Sequence, residues 1–321
     1  MVSGTPDGGD SSFPTVWAKK ADLPLARWDH ALVALNGALY AIGGYSGSTL
    51  SSVARYDPAG GSWSSAASLL TARREFAAGA VDGKIYVACG MDYTDPNHVS
   101  YVSTTEQYDP AANQWTAGRA ACPAGAAFNN VYGNVHIGGA AANGKLYLAV
   151  FNTNSSPPTQ LFEYDPAADR WTAKAAPPFS NSIYALTESS GALYLLATTF
   201  AGSTPVSALA RYDAASNAWV ILPSLSRRWW SALTSLNGKL YAIGGADVAG
   251  TSGSSPPAST RVDSYDPRLA AWADAGRLQV ARNFAAPATL GTQMYVAGGA
   301  SSGTSDVAVP LSSMESGQLV Q

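Results

Sequence analysis

The chain has 321 residues, 46% of them hydrophobic and only 13% charged, with 31 glycines and 19 prolines. That balance excludes a disordered or coiled-coil protein and fits a globular one cut into many short strands by turns. A formal net charge of -3 provides no broad positive field for nucleic acid or an anionic membrane surface, and no apolar run approaches the ~20 residues that span a bilayer.

Residues 1–14 are expected to be a flexible segment, and residues 15–321 a single repeat domain. The opening has no basic start followed by an apolar stretch, so it reads as no secretory signal. Compartment stays open between the cytoplasm and a secreted or periplasmic location with a signal removed. Cys89 and Cys122 are the two cysteines, too few for a disulfide scaffold or a four-cysteine zinc site. Both are expected on one face, as two buried unpaired thiols, the alternative being a disulfide that pins the segment entering the third blade.

From Val16 on, a unit recurs at about 46 to 56 residues, the length of a four-stranded propeller blade. It opens with a small-residue strand that ends in a tight turn, as in Arg27 to Leu35 before Asn36-Gly37 and Arg228 to Leu236 before Asn237-Gly238. Asn-Gly supplies the positive φ such a hairpin demands. An apolar strand with a central tyrosine follows, ending in paired glycines at Leu39 to Gly44, Leu240 to Gly245 and Met294 to Gly299. The third strand closes on Tyr-Asp at Tyr56, Tyr108, Tyr164, Tyr212 and Tyr265, and the fourth carries Trp63, Trp115, Trp171, Trp219 or Trp272. A sixth unit stops before its own Tyr-Asp and Trp, while Trp17 stands ten residues before Arg27, as Trp63 does before Arg73. Trp17 is therefore expected to supply the missing outer strand.

These marks resemble the kelch repeat, and the resemblance covers nearly the whole chain. It implies an all-β, six-bladed kelch β-propeller closed by the N-terminal strand joining the last blade. Similar propellers occur in bacterial sialic-acid mutarotases, the central domain of galactose oxidase and the BTB-kelch adaptors. The copper site that galactose oxidase builds from two His, two Tyr and a crosslinked Cys has no counterpart among His30, His98 and His136. No cofactor and no metal is expected.

One face of such a propeller would carry short stereotyped turns, and the other the long segments that follow the second strand or enter a blade. Binding chemistry usually sits on variable loops of a rigid scaffold. Counting back from the hairpins puts Arg27, Arg73, Asn134, Asn181, Arg228 and Arg282 at the mouth of the central channel, one per blade. Converging guanidiniums would make a forked site for carboxylate or phosphate; the alternative is that each arginine bonds backbone carbonyls or a local carboxylate. Trp28, Tyr184, Trp229 and Trp230 are the expected aromatic wall. The expected function is binding of an anionic or aromatic ligand, whether small molecule, sugar or acidic peptide, by a monomer with no nucleic-acid or membrane partner. The alternative is a stand-alone isomerase, epimerase, mutarotase or lyase in the same pocket, with Glu75, Asp29 and His30 moving protons.

Overall fold

Glycine pairs and Asn-Gly turns cut the sequence into short strands that hydrogen-bond only to their chain neighbours, so the sheets are small and antiparallel. The computed structural model describes residues 15–95, 98–123, 135–152, 159–179, 184–201, 204–226, 228–247, 257–301 and 309–319. Residues 1–14, Asn134 and Asn181 lie outside them, as does the side chain of Tyr184.

Six four-stranded antiparallel sheets form the blades. Their innermost strands are Ala31–Leu35, Ala77–Val81, Val135–Ala142, Tyr184–Ser189, Ala232–Leu236 and Ala286–Leu290 (blades 1 to 6), and each touches the inner strands on either side, so the ring is closed. Small residues dominate here because space is short. A Cβ on Gly139 would sit 2.4 Å from the Cα of Ala77 in the neighbouring blade.

The repeated aromatics tie blade to blade. In blades 1 to 5 the third-strand tyrosine faces the fourth-strand tryptophan directly, with ring centroids 5.0 to 5.3 Å apart. Each of those tryptophans donates its indole N–H to a carbonyl of the segment leaving the preceding blade: Ala21, Ala67, Ala120, Ala175 and Pro223. Second-strand tyrosines pack on the third-strand tyrosine of the next blade, as Tyr40 does on Tyr108 and Tyr86 on Tyr164. Aromatic pairs of this kind add to their area burial.

Blade 6 is completed from the other end of the chain. Thr15–Lys20 pairs antiparallel with Met314–Leu319, which places Trp17 opposite Gly317. The indole lies flat over that glycine, where a Cβ would be 2.7 Å from the ring. Closure by the N-terminal strand thus holds as expected, and it leaves no unpaired edge at the seam.

Blades 3 and 4 differ because they lack the paired glycines. Their second strands, Lys145–Asn152 and Ala192–Ala201, run on as unbroken ladders where the other blades turn at Gly43, Cys89, Gly244 and Gly298. Replacing the seam tryptophan, Trp17→Ala, should cost about 3–5 kcal/mol of stability, as for other buried aromatics. Urea unfolding measures it; a loss below about 1 kcal/mol would mean that this strand does not hold the ring shut.

Candidate functional site at the axial mouth

Four blades are entered by the same tetrad: Arg27-Trp28-Asp29-His30, Arg73-Arg74-Glu75-Phe76, Arg228-Trp229-Trp230-Ser231 and Arg282-Asn283-Phe284-Ala285. Its first member is a staple. All four arginines are at most 1% exposed. Each donates Nη1 to the carbonyl sixteen residues on: Gly43, Cys89, Gly244 and Gly298. A second carbonyl, at the start of the third strand, accepts from the same guanidinium: Ser52, Thr104, Arg261 and Ser313. In blades 2, 5 and 6 the charge meets the buried carboxylates of Glu106, Asp263 and Glu315. Blade 1 has Ala54 at that register position, and burial without a carboxylate lowers Arg27 to about 10.

The arginine backbone completes the link. Its carbonyl accepts from the preceding blade: from Gly299 N–H for Arg27, Gly44 N–H for Arg73, Gly245 N–H for Arg282 and the Ser207 hydroxyl for Arg228. An unbroken line of bonds therefore runs from blade 4 through 5, 6 and 1 to blade 2. The paired glycines exist for this contact. Gly298 has φ +58 and an added Cβ would lie 2.4 Å from the Arg27 carbonyl oxygen; Gly244 has φ +62 and the same clearance to Arg282.

The third member of each tetrad turns toward the axis. Asp29, Glu75, Trp230 and Phe284 all adopt left-handed backbone, with φ 51, 48, 53 and 51. For Trp and Phe this conformation is a genuine outlier that surrounding structure must hold in place. A belt of peptide bonds does so: Asp29 N–H donates to Phe284 O, and Glu75 N–H to Asp29 O.

These residues meet in one cluster. Arg74 Nη2 lies 3.2 Å from Asp29 Oδ2 and 3.0 Å from Glu75 Oε1, and His136 Nδ1 lies 3.3 Å from Glu75 Oε2. The Arg74 guanidinium is covered by Trp28 and Tyr93 at 4.4 Å and by Tyr45 at 5.2 Å. Rings continue from Tyr45 through Trp28 and Phe284 to Trp230 and Trp229, with centroids 4.8 to 5.5 Å apart. Of these only Trp28 is fully buried. His136 remains 26% exposed, and Glu75 and Asp29 13% and 10%.

The two carboxyl groups are driven apart. Burial, then the neighbouring Glu75 charge, hold Asp29 well above the carboxylate range against the pull of Arg74. Burial pushes Glu75 upward too, but the hydrogen bond to His136 and the Arg74 charge together outweigh it and bring Glu75 down to about 2. The two neighbouring carboxyl groups are thus pushed in opposite directions, Asp29 toward holding its proton and Glu75 toward releasing it.

Two segments, residues 26–70 and 72–119, match the kelch motif. They are blades 1 and 2; their staple and turn recur in blades 5 and 6, and their Tyr–Trp pair in blades 3 to 5. The chain is a six-bladed β-propeller that carries the kelch motif in its first two blades. Kelch-like protein 35 of Mus musculus is 27% identical over 218 residues, which cover 68% of this chain and 35% of that protein. An F-box/kelch-repeat protein of Arabidopsis thaliana is 39% identical over 87 residues, 27% of this chain and 18% of that one. This chain therefore spans about a third or less of those curated relatives. The solved structure of YjhT superposes with a TM-score of 0.74 at 15% identity, covering 92% of this chain and 95% of that one, a likeness of fold.

Within this propeller the expected anion fork is not formed. Arg27, Arg73, Arg228 and Arg282 point their donors into the blades, where carbonyls and carboxylates consume them, so the mouth is not ringed by free guanidiniums. His30 does not join Asp29 and Glu75 either. It is buried against Gly298 and Gly44, between blades 6 and 1. Burial, then Arg27 and Arg282, depress its imidazole well below the ordinary value, and neither ring nitrogen has a partner among the described residues. Asp29, Glu75, Trp28, Trp229, Trp230 and His136, which also starts an innermost strand, are brought to the mouth, while Arg74, Tyr45, Tyr93 and Phe284 are additions. Among the described residues no three His, Cys, Asp or Glu side chains gather for a metal. Contrary to the expected free thiols, Cys89 and Cys122 form a disulfide with Cα atoms 5.6 Å apart. Cys89 takes a glycine position at φ 63, and the bond ties the segment entering blade 3 to the blade 2 staple.

The staple predicts that Arg73→Lys fails to rescue Arg73→Ala. An ammonium cannot reach two carbonyls and Glu106 with fork geometry, and both variants should lose about 3–5 kcal/mol, the cost of leaving a buried partner uncompensated. Urea denaturation of the two variants decides it; near-wild-type stability of the lysine form would show that charge alone suffices.

Proposed function

We propose that this propeller is a recognition module that receives a segment of a partner protein at its axial mouth. The carrying observation is the convergence of Asp29, Glu75, His136, Phe284 and Trp230 into one part-exposed patch, polar on one side and aromatic on the other. Two of its rings are held there in costly left-handed backbone. Rigid aromatic anchors beside a few fixed hydrogen-bonding groups are what a peptide-recognition hot spot requires. Among the described residues the opposite face is built from tight hairpins and Tyr-Asp turns. The curated relatives support the reading only as longer kelch-named chains, of which the matched segments cover 35% and 18%. The expected result of selecting a random peptide library on the protein is a family of peptides whose binding is lost in Trp230→Ala. Peptides that bind both forms alike would move the site off the mouth.

A second reading, an acid–base enzyme on a small substrate, is favoured by one arrangement: Asp29 and Glu75 share Arg74, and their surroundings push their proton affinities in opposite directions. Such a pair can give a proton to one atom and take one from another. The state itself is measurable through stability. A carboxyl whose folded value is raised contributes stability that is present below its unfolded value, ~3.9, and lost as pH rises through the folded value. Asp29→Asn mimics the protonated form and escapes that loss. Its melting temperature should therefore gain on the wild type as pH rises from 4 to 9, and parallel curves would remove the basis of this reading.

A further inference from the structure

Once the staples are accounted for, the described residues at the mouth group two carboxyl groups, Asp29 and Glu75, with a run of aromatic rings. We propose that the axial mouth takes the cationic tip of a lysine or arginine side chain carried by the partner segment. This rests on the reading of the mouth as a peptide-recognition site and names the residue class that it selects.

The protein already solvates one cation in this way. Arg74 is held by two carboxyl groups and three aromatic faces, with 5% of its side chain exposed. Beside it the arrangement continues outward. Trp230 and Phe284 present a tilted pair of rings, 4.8 Å between centroids and part-exposed, and among the described residues no arginine or lysine stands over either. A cation placed over such a face gains from the ring quadrupole, more so as water is excluded. Asp29 and Phe284 are joined by a backbone hydrogen bond, and Trp28, which covers Arg74, packs on Phe284 at 5.5 Å, so the rings adjoin the Asp29–Glu75–Arg74 cluster. Of the four buried arginines, those of blades 2, 5 and 6 are neutralised internally.

The test is calorimetric titration with acetyl-Gly-Lys-Gly-amide, and with the same peptide carrying Glu or norleucine in place of Lys, at pH 7. The lysine peptide should bind at least about tenfold tighter than either control. Glu75→Gln, confirmed folded by its melting temperature, should abolish the preference. If that variant does not fold, Trp230→Leu keeps every charge and should weaken the lysine peptide severalfold. Tighter binding of the glutamate peptide, or a lysine preference that survives both variants, overturns the inference. Library peptides that depend on Trp230 but lack basic residues overturn it while leaving the mouth as the site; peptides indifferent to Trp230 overturn both.

Discussion

The run of the ring from blade 4 round to blade 2 depends on one interaction: a buried guanidinium that donates to two carbonyls in its own blade while its backbone carbonyl is bonded by the blade before. Arginine is the side chain that can do this, because its donors form a fixed planar fork and its charge cannot be shed. The carbonyls at the end of the second strand and the start of the third are left over where the ladder breaks, and buried orphans of that kind are expensive. The same four residues, Arg27, Arg73, Arg228 and Arg282, thus solve a satisfaction problem created by the turn at Gly43, Cys89, Gly244 and Gly298.

The constraint propagates to the mouth. With the arginine fixed and its carbonyl committed to the preceding blade, the chain has two residues in which to reverse toward the inner strand. It does so through left-handed backbone at Asp29, Glu75, Trp230 and Phe284. Glycine or asparagine would be the inexpensive choice there. That aromatic and acidic side chains occupy these positions instead is the strongest sign that the axis has been shaped for contact rather than for stability alone.

Much of the fold was legible in the sequence because its marks are local and repeat: a turn dipeptide, a tyrosine and a tryptophan keep their order whatever the loops do. Even the seam could be read, since Trp17 stands at the tryptophan-to-arginine spacing of the other blades. The site was legible only in part. Position counting brings Arg27 and Asp29 to the same mouth, but says nothing about which one faces solvent, and the answer depends on bonds to residues sixteen to thirty-five places away. Arg74 looked like a mere neighbour of Arg73; its role comes from the bridge that pairs it with Met91 and swings its guanidinium under Trp28. The doubled arginine and the acid after it were the available signal. The disulfide needed Cα separation and Cβ direction, which spacing cannot supply.

That disulfide bears on how the mouth keeps its shape. Cys89 stands where blades 1, 5 and 6 use glycine, and its carbonyl is an acceptor for Arg73, the residue immediately before the cation that binds both mouth carboxyl groups. Closing a loop of 33 residues restricts the unfolded chain by about 3–4 kcal/mol in the entropic account. It also anchors Cys122, whose sulfur is 2.9 Å from the Tyr101 hydroxyl, in the segment entering blade 3. Blade 3 is where His136 comes from. The crosslink therefore joins the segment leading to one side of the Glu75–His136 contact to the blade that carries the other, just where the arginine line running from blade 4 round to blade 2 comes to its end.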